Sequence, residues 1–489
     1  MSWLDAPQYW LTRFVFERAL GLLYVVAFLT AVNQFRALLG EHGLLPVPRF
    51  VRRVRFRDAP SLFQLRYSDR LLLAAAWLGV LLGVATVAGL PQAGPLWVPM
   101  LTWVTLWALY VSIVNVGQTF YAFGWESLLC EVGALAVFLG NARTAPPILM
   151  VFLMRWLVFR LEFGAGLIKL RGDPCWRDLT CLYYHHETQP MPNPLSWFFH
   201  HLPRRAHQAE VLANHVAQVV VPFALFAPQP VAGVAGLVII GTQAWLILSG
   251  NFSWLNFITI AIAVWALSGS WLEPLFPFHH PALHATPTWY AGLVVALTAL
   301  VAALSYWPVR NLLSRRQLMN FSFNRLHFVG TYGAFGHITK ERFEIVLEAT
   351  DQPVLSPTTA WTAYEFRGKP GDPRRLPPQV APYHLRLDWL MWFAAMGPPT
   401  GQPWLLPLVA RLLEHDRPTL RLLRRDPFPD RAPAFVRAQL YRYRFTTRAE
   451  RRETGAWWHR TLVGEYLPPL ERGPTGELTV AVGAGRYRA

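Results

Sequence analysis

Pro146-Pro-Ile-Leu-Met-Val-Phe-Leu-Met-Arg155-Trp-Leu-Val-Phe-Arg160-Leu-Glu162-Phe-Gly-Ala-Gly-Leu-Ile-Lys169 is an apolar run interrupted by charge. A helix crosses the hydrocarbon of a bilayer with about 20 mainly apolar residues, so the stretch reads as a membrane span over 146–168. Its charges decide what kind of span it is. A charged side chain inside a membrane costs about 2.5–3.5 kcal/mol on insertion scales and faces a partner or a cavity. Arg155, Glu162 and Lys169 recur every seven residues, which at about 100° per residue puts them on one helix face, with Arg160 off it. That face is predicted to point into a bundle. Two readings stand: structural ion pairing that holds the bundle together, or a polar intramembrane site.

Working outward, comparable apolar stretches cover 14–38, 71–90, 96–116, 126–140, 211–227, 231–248, 253–272 and 289–307, giving about nine spans in all. Further polar groups sit at Asn115, Gln118, Glu126 and Glu131. The first span is too long for a cleavable signal peptide and reads as a signal anchor. The fold class is therefore an α-helical polytopic membrane bundle over 1–310, followed by a C-terminal β-rich soluble domain over 311–489. Strands are expected at Phe343–Glu348, Tyr364–Arg367 and Ala438–Phe445, where apolar and polar residues alternate. Rigid turns are expected in the Pro-rich runs 370–382 and 397–407. Leu387–Met396 reads as a short helix at the membrane surface.

Composition agrees. The chain is 53% hydrophobic and only 15% charged, well below the roughly 25% charge of soluble domains. The net charge of +16 does not indicate nucleic acid, because the first 300 residues are largely apolar rather than a basic soluble face. The residues after 307 hold 27 Lys and Arg against 16 Asp and Glu, which leaves +11 of that charge in the tail. Among 45 basic residues only Lys169, Lys340 and Lys369 are lysines. A retained amine in such a chain suggests chemistry that Arg does not offer, since Lys shifts its pKa readily when buried. Arg49, Arg52, Arg53, Arg55 and Arg57 would put the 40–70 loop, the 169–210 loop and the tail in the cytoplasm by the positive-inside rule.

The loop after Lys169 is polar, aromatic and sulfur-bearing. Cys175 and Cys181 lie close enough in sequence for an irregular loop to bring their Cα atoms within the roughly 4.4–6.8 Å a disulfide needs. They are read as a disulfide if this side is oxidising, and as two structural thiols otherwise. With His185, His186 and Glu187 they match no standard zinc spacing, and no metal is expected. Cys130 should stay a packed thiol, and His200 and His201 read as interfacial anchors. No phosphate loop, nucleophile elbow or zincin motif is present.

At this loop the sequence becomes specific. Gly166-Leu-Ile-Lys-Leu-Arg-Gly-Asp-Pro-Cys-Trp-Arg-Asp-Leu-Thr-Cys-Leu and His186-Glu-Thr-Gln-Pro-Met-Pro-Asn-Pro-Leu-Ser-Trp resemble the lipase maturation factor family. Tyr9-Trp-Leu-Thr-Arg-Phe, Asn115-Val-Gly-Gln-Thr-Phe, Gly124-Trp-Glu-Ser-Leu-Leu-Cys-Glu, Tyr332-Gly-Ala-Phe-Gly-His-Ile-Thr-Lys-Glu-Arg-Phe and Arg386-Leu-Asp-Trp-Leu-Met-Trp-Phe agree with it. The family's Lys-Cys-Lys-Pro-Gly stretch reads Arg367-Gly-Lys-Pro-Gly here, so a thiol role is absent at that point. The resemblance implies a chaperone-like membrane protein of the secretory pathway, with the bilayer and secreted clients such as lipases as partners and no cofactor. The long loops and tail would face the lumen of the endoplasmic reticulum, opposite to the positive-inside reading. The Arg-rich composition is similar to that of a GC-rich bacterium, where the matching side is the periplasm and the membrane the inner one. Motif or client-binding positions on this resemblance are Arg171, Asp173, Trp176, Arg177, Asp178, Glu187, Asn193, Trp197, Lys340, Glu344, Arg386, Asp388 and Trp389. Trp-rich surfaces at 196–201 and 387–396 would dock the client.

A weaker resemblance points elsewhere. Gly166-Leu-Ile-Lys-Leu at the end of a span is similar to the membrane superfamily containing the vitamin K-dependent gamma-carboxylase. It implies an enzyme in which Lys169 is the base toward a quinone- or quinol-sized ligand or a lipid, oriented by Glu162 or His186.

Overall fold

Thirty residues, Trp10–Leu39, form one unbroken helix, α1. The computed structural model of the protein describes residues 2–473 and 475–481; residues 482–489, assigned above to the C-terminal domain, lie outside the described residues. α2 (Asp69–Val87) starts at a Ser68 cap and packs along α1. Gly79 and Gly83 make that approach possible, for a Cβ at Gly79 would sit 2.4 Å from the Phe28 ring. Small residues of this kind let helix backbones meet inside a membrane. α3 (Trp97–Val116) follows, then α4 (Gly124–Ala136) and α5 (Ile148–Arg171). The loop after α5 carries α6 (Leu182–Thr188), and α7 (Arg204–His215) leads back to the bundle. α8 (Val231–Ser249), α9 (Leu255–Ala263) and α10 (Thr288–Leu304) complete it.

Among the described residues five helices, those containing α1, α2, α3, α8 and α10, are long and apolar enough to cross a membrane. The other expected spans differ for visible reasons. α4 has 13 residues and is about 20 Å long, short of the roughly 30 Å hydrocarbon. α5 is long enough but carries Arg155, Arg160 and Glu162. The 211–227 stretch breaks into the end of α7, a π turn at Val216–Val220 and a short helix at Val221–Ala224. The 253–272 stretch breaks after Ala266.

The C-terminal region holds an antiparallel sheet of order β2-β1-β3-β4-β5. Its strands are β1 (Arg342–Thr350), β2 (Thr362–Ala363), β3 (Phe435–Phe445), β4 (Trp458–Arg472) and β5 (Leu478–Val480). Two expected strands appear as β1 and β3. Tyr364–Arg367 is not a strand: pairing with β1 ends at Ala363, though the Tyr364 amide still donates to the Leu347 carbonyl. β4 went unpredicted because Pro468 and Pro469, which lack an N–H, argue against a strand. The expected surface helix is α11 (Arg386–Ala394), which lies buried rather than at a surface.

Candidate functional site

Arg155, Glu162 and Lys169 are all buried, as the seven-residue spacing predicts. Arg155 donates to the carbonyls of Leu225 (3.0 Å) and Trp265 (3.1 Å) and to the Tyr9 hydroxyl (2.7 Å). Those carbonyls end the two interrupted stretches, so one guanidinium satisfies backbone groups that a membrane interior would leave bare. Glu162 and Lys169 do not meet directly. Glu162 accepts from Gln218 (3.1 Å) and Gln243 (2.7 Å), while Lys169 donates to the Gln218 (2.9 Å) and Asn214 (2.8 Å) carbonyl oxygens. The expected charge partner is thus replaced by neutral amides, and Gln218 stands in the π turn that presents it. Arg160 pairs with Glu131, which also accepts from the Gly330 amide and the Tyr332 hydroxyl, fastening the start of the tail to the bundle.

Beyond α5 the loop is closely tied down. Cys175 and Cys181 form a disulfide with Cα atoms 4.8 Å apart, and Cys130 is a buried free thiol. Asp173 caps the following turn at the Cys175 amide (3.0 Å), and the Trp176 indole donates to the Phe335 carbonyl (2.8 Å). Arg171 donates to Gln317 and Arg177 to the Leu170 carbonyl, whereas Asp178 and Lys340 are exposed. Asn193 donates to the Ile247 and Leu248 carbonyls (3.0 Å each), filling unsatisfied acceptors at the C-terminal end of α8.

The tail locks onto this loop. Arg342 on β1 donates to the carbonyls of Glu187 (3.1 Å) and Pro190 (3.0 Å), and its guanidinium pairs with Glu344. Glu344 also meets Lys369 at 2.7 Å, both fully enclosed. Glu187 accepts from the Phe445 amide at 2.5 Å. Burial raises the Glu187 carboxyl above its ordinary value, against the pull of that amide and nearby arginines. Asp388 caps the Gly368 (2.6 Å) and Lys369 (3.1 Å) amides, and burial raises it too. Arg386 reaches back into the bundle to Glu126 (2.7 Å), beside His384. Burial, then the Arg386 charge, pushes His384 down to about 4.

The tryptophans of the expected docking surface are enclosed, and its exposed apolar residues are Phe198, Phe393 and Met396. Trp197 is 5% exposed and Trp389 3%. The Trp197 indole donates to the Thr446 carbonyl, Trp392 to that of Thr188, and Trp389 packs edge-to-face against Phe123, Trp125 and His384. These rings join loop, bundle and sheet. A further open surface lies on the sheet edge. β4 pairs with β3 on one side, but on the other only Leu470–Arg472 pair with β5, leaving residues 458–469 without a strand neighbour among the described residues. Along that edge His459–Val463 are exposed, with Leu462 at 55% and Val463 at 53%.

Sequence reading missed Arg342, Lys369 and His384. Lys369 carried a signal, being one of only three lysines in the chain. His186, expected near Lys169 under the enzyme reading, instead has its Nε2 3.7 Å from Glu210.

A helical membrane bundle whose loop is hydrogen-bonded to the C-terminal sheet through Arg342 and Glu187, and whose Glu126 pairs with Arg386 of the tail, defines an integral membrane protein with an attached β-rich domain. The family models for the lipase maturation factor transmembrane domain and C-terminal domain match residues 11–274 and 328–468. Lipase maturation factor 1 of Bos taurus is 42% identical over 507 residues, covering 96% of this chain and 90% of its own. The Homo sapiens form is 42% identical over 506 residues, covering 96% and 89%. Lipase maturation factor 2 of Homo sapiens is 30% identical over 605 residues, covering 96% and 84%. No solved structure matches the chain. The chain belongs to the lipase maturation factor family and is an integral membrane maturation factor. Nothing in these likenesses favours a carboxylase-like enzyme.

Proposed function

We propose that the chain assists secreted lipases, the clients its relatives' names indicate, by holding an unpaired strand of the folding client against the β4 edge. The observation that carries this is the exposed stretch His459–Val463, apolar at Leu462 and Val463, which has no strand neighbour on its open side among the described residues. An open edge presents a row of backbone donors and acceptors, and strand addition satisfies them whatever the client's exact sequence. Leu462 and Val463 supply apolar contact, and Pro468 and Pro469 end the receptive stretch. The motif residues act beneath this surface: Arg171, Asp173, Trp176, Asn193, Trp197, Glu344, Arg386 and Asp388 hold loop, bundle and sheet in one piece. Binding of this kind uses no quinone or other cofactor and no nucleic acid.

The broken and charged segments join the five full-length helices in the bilayer, for about nine passes. The bundle covers 1–310 and the C-terminal domain 311–489. Loops and tail lie outside the cytoplasm, in the periplasm at a bacterial inner membrane as in the endoplasmic reticulum for eukaryotic relatives. The Cys175–Cys181 disulfide supports that side, because disulfides persist in oxidising compartments. Long domains translocate largely regardless of charge, which answers the positive-inside count for the tail.

The test places a photo-reactive side chain at Val463 and a second at Glu41, in cells co-expressing a dependent lipase. Adducts with newly made lipase at 463 and not at 41 are expected. Equal labelling, or none at 463 while the lipase still matures, overturns the reading. A reporter active only outside the cytoplasm, fused after Ala489, is expected to be active.

A further inference from the structure

Two histidines and a glutamate converge where α6 faces α7. His186 Nε2 lies 3.7 Å from Glu210 Oε2, and His207 Nδ1 lies 3.8 Å from the same oxygen. The three facing atoms all lie within 4.8 Å of one another. His186 and His207 are each 2% exposed. Among the described residues neither ring nitrogen of His186 has a hydrogen-bond partner, nor has His207 Nδ1 or Glu210 Oε2. Buried polar atoms are normally satisfied, and separations of 3.7–3.8 Å are too long for these groups to satisfy one another.

The free atoms are also prepared as ligands. His207 Nε2 approaches the His200 carbonyl at 3.3 Å. A carbonyl only accepts, so Nε2 carries the proton and Nδ1 keeps its lone pair toward the cluster. The other Glu210 oxygen accepts from the Trp245 indole at 2.6 Å, which turns Oε2 the same way. Outer hydrogen bonds of this type fix the tautomer of a ligating imidazole and the orientation of a ligating carboxylate.

We propose that His186 Nε2, His207 Nδ1 and Glu210 Oε2 bind one divalent transition-metal ion of the zinc type. Two imidazoles and one carboxylate form a zinc ligand set that leaves the fourth tetrahedral position for water. Zinc bonds of about 2.0–2.2 Å place tetrahedral ligand atoms about 3.3–3.6 Å apart, so the cluster closes around the ion with side-chain movements of about an ångström or less. The ion would clip α6 to α7 across the 189–203 segment, which carries Asn193 and Trp197. The sequence spacing carries no sign of this site, since His186 and His207 meet only through folding, and Cys175 and Cys181 are already spent on each other.

The test uses the full-length protein in detergent, without a polyhistidine tag, stripped by chelator and titrated with Zn²⁺ alone against a chromophoric competitor. One Zn²⁺ per chain is expected. His207→Gln and Glu210→Gln should each weaken binding at least tenfold. Trp245→Phe, which releases the outer hydrogen bond, should weaken it by about tenfold, whereas His42→Gln should leave it unchanged. Co²⁺ in place of Zn²⁺ should give the ligand-field absorption of a tetrahedral site, lost in Glu210→Gln. Should His207→Gln fail to fold, the partly exposed Glu210 variant and the Co²⁺ spectrum decide. Absence of stoichiometric Zn²⁺ in the parent, or parental affinity in the Glu210 variant, overturns the site.

Discussion

Glu344→Leu strands two cations where the sheet meets the loop. In the parent, Glu344 is fully enclosed with Lys369 at 2.7 Å and Arg342 beside it. After substitution Arg342 keeps the carbonyls of Glu187, Gln189 and Pro190, so most of its donors remain satisfied. Lys369 keeps the Ile345 carbonyl at 3.0 Å but no carboxylate. Removing one partner of a buried ion pair costs about 3–5 kcal/mol. With Arg342 still bonded, the lower half of that range applies, and at about 1.4 kcal/mol per decade the open population rises roughly 100- to 1,000-fold. Native-state hydrogen exchange of the β1 amides and of residues 187–193 reads this directly, with α1 and α3 as internal controls. Adding Lys369→Met should restore most of the protection, since an apolar replacement of the pair leaves no bare charge. Parental exchange in the single variant, or still faster exchange in the double, would refute the claim that Glu344, by pairing with both cations, steadies the Arg342 that fastens the sheet to the loop.

Three further outcomes follow from the same geometry. Replacing Cys175 and Cys181 by Ser opens a short closed loop and should cost about 2 kcal/mol on the chain-entropy scale; thermal unfolding measures it, and an unchanged midpoint contradicts a structural disulfide. His384 is held down to about 4 by burial and by Arg386, from an ordinary value near 6.5, despite Glu126. The unfolded chain therefore binds the proton first, so the contribution is complete above about pH 6.5 and is lost as pH falls toward 4, by roughly 3 kcal/mol. His384→Gln should flatten the stability profile across that window, and an unchanged profile refutes the assignment. Lys169 needs only a cation between Asn214 and Gln218, so Lys169→Arg should support lipase secretion while Lys169→Ala does so less well; a well-folded Lys169→Arg protein without function would point to proton transfer instead.

How far the sequence could be read depended on whether a contact was local. The Arg155, Glu162 and Lys169 face followed from seven-residue spacing, because one helix fixes it, and β1 and β3 followed from alternation. The identity of the partners did not. Gln218 bridges Glu162 and Lys169 only because α7 runs into a π turn, and His384 reaches Glu126 across more than 250 residues of sequence. Apolar content located 126–140, 211–227 and 253–272, but it reports hydrophobicity and not helix length, so the shortness of α4 and the breaks in the other two were not legible. Burial by neighbouring protein satisfies the same pattern as burial in lipid. The tryptophans misled for a related reason: Trp197 and Trp389 look like a sticky surface in one dimension, and only the fold reveals the carbonyl and aromatic partners that enclose them.

The central claim is that the open side of β4 holds the client. Val463 is skipped in the pairing of β4 with β3, where Leu440 faces Gly464 and Tyr441 faces Leu462. A proline there removes an N–H at an irregularity where proline is tolerated. A lysine at 462 places on the edge the charge that natural sheets use to prevent strand addition. The measurement is secretion of active lipase from cells lacking their own maturation factor, complemented with the parent or with the Leu462→Lys, Val463→Pro double variant, at matched membrane abundance and with β3 exchange protection confirmed. Loss of most secreted activity in the double variant is the predicted result; secretion at the parental level contradicts the account.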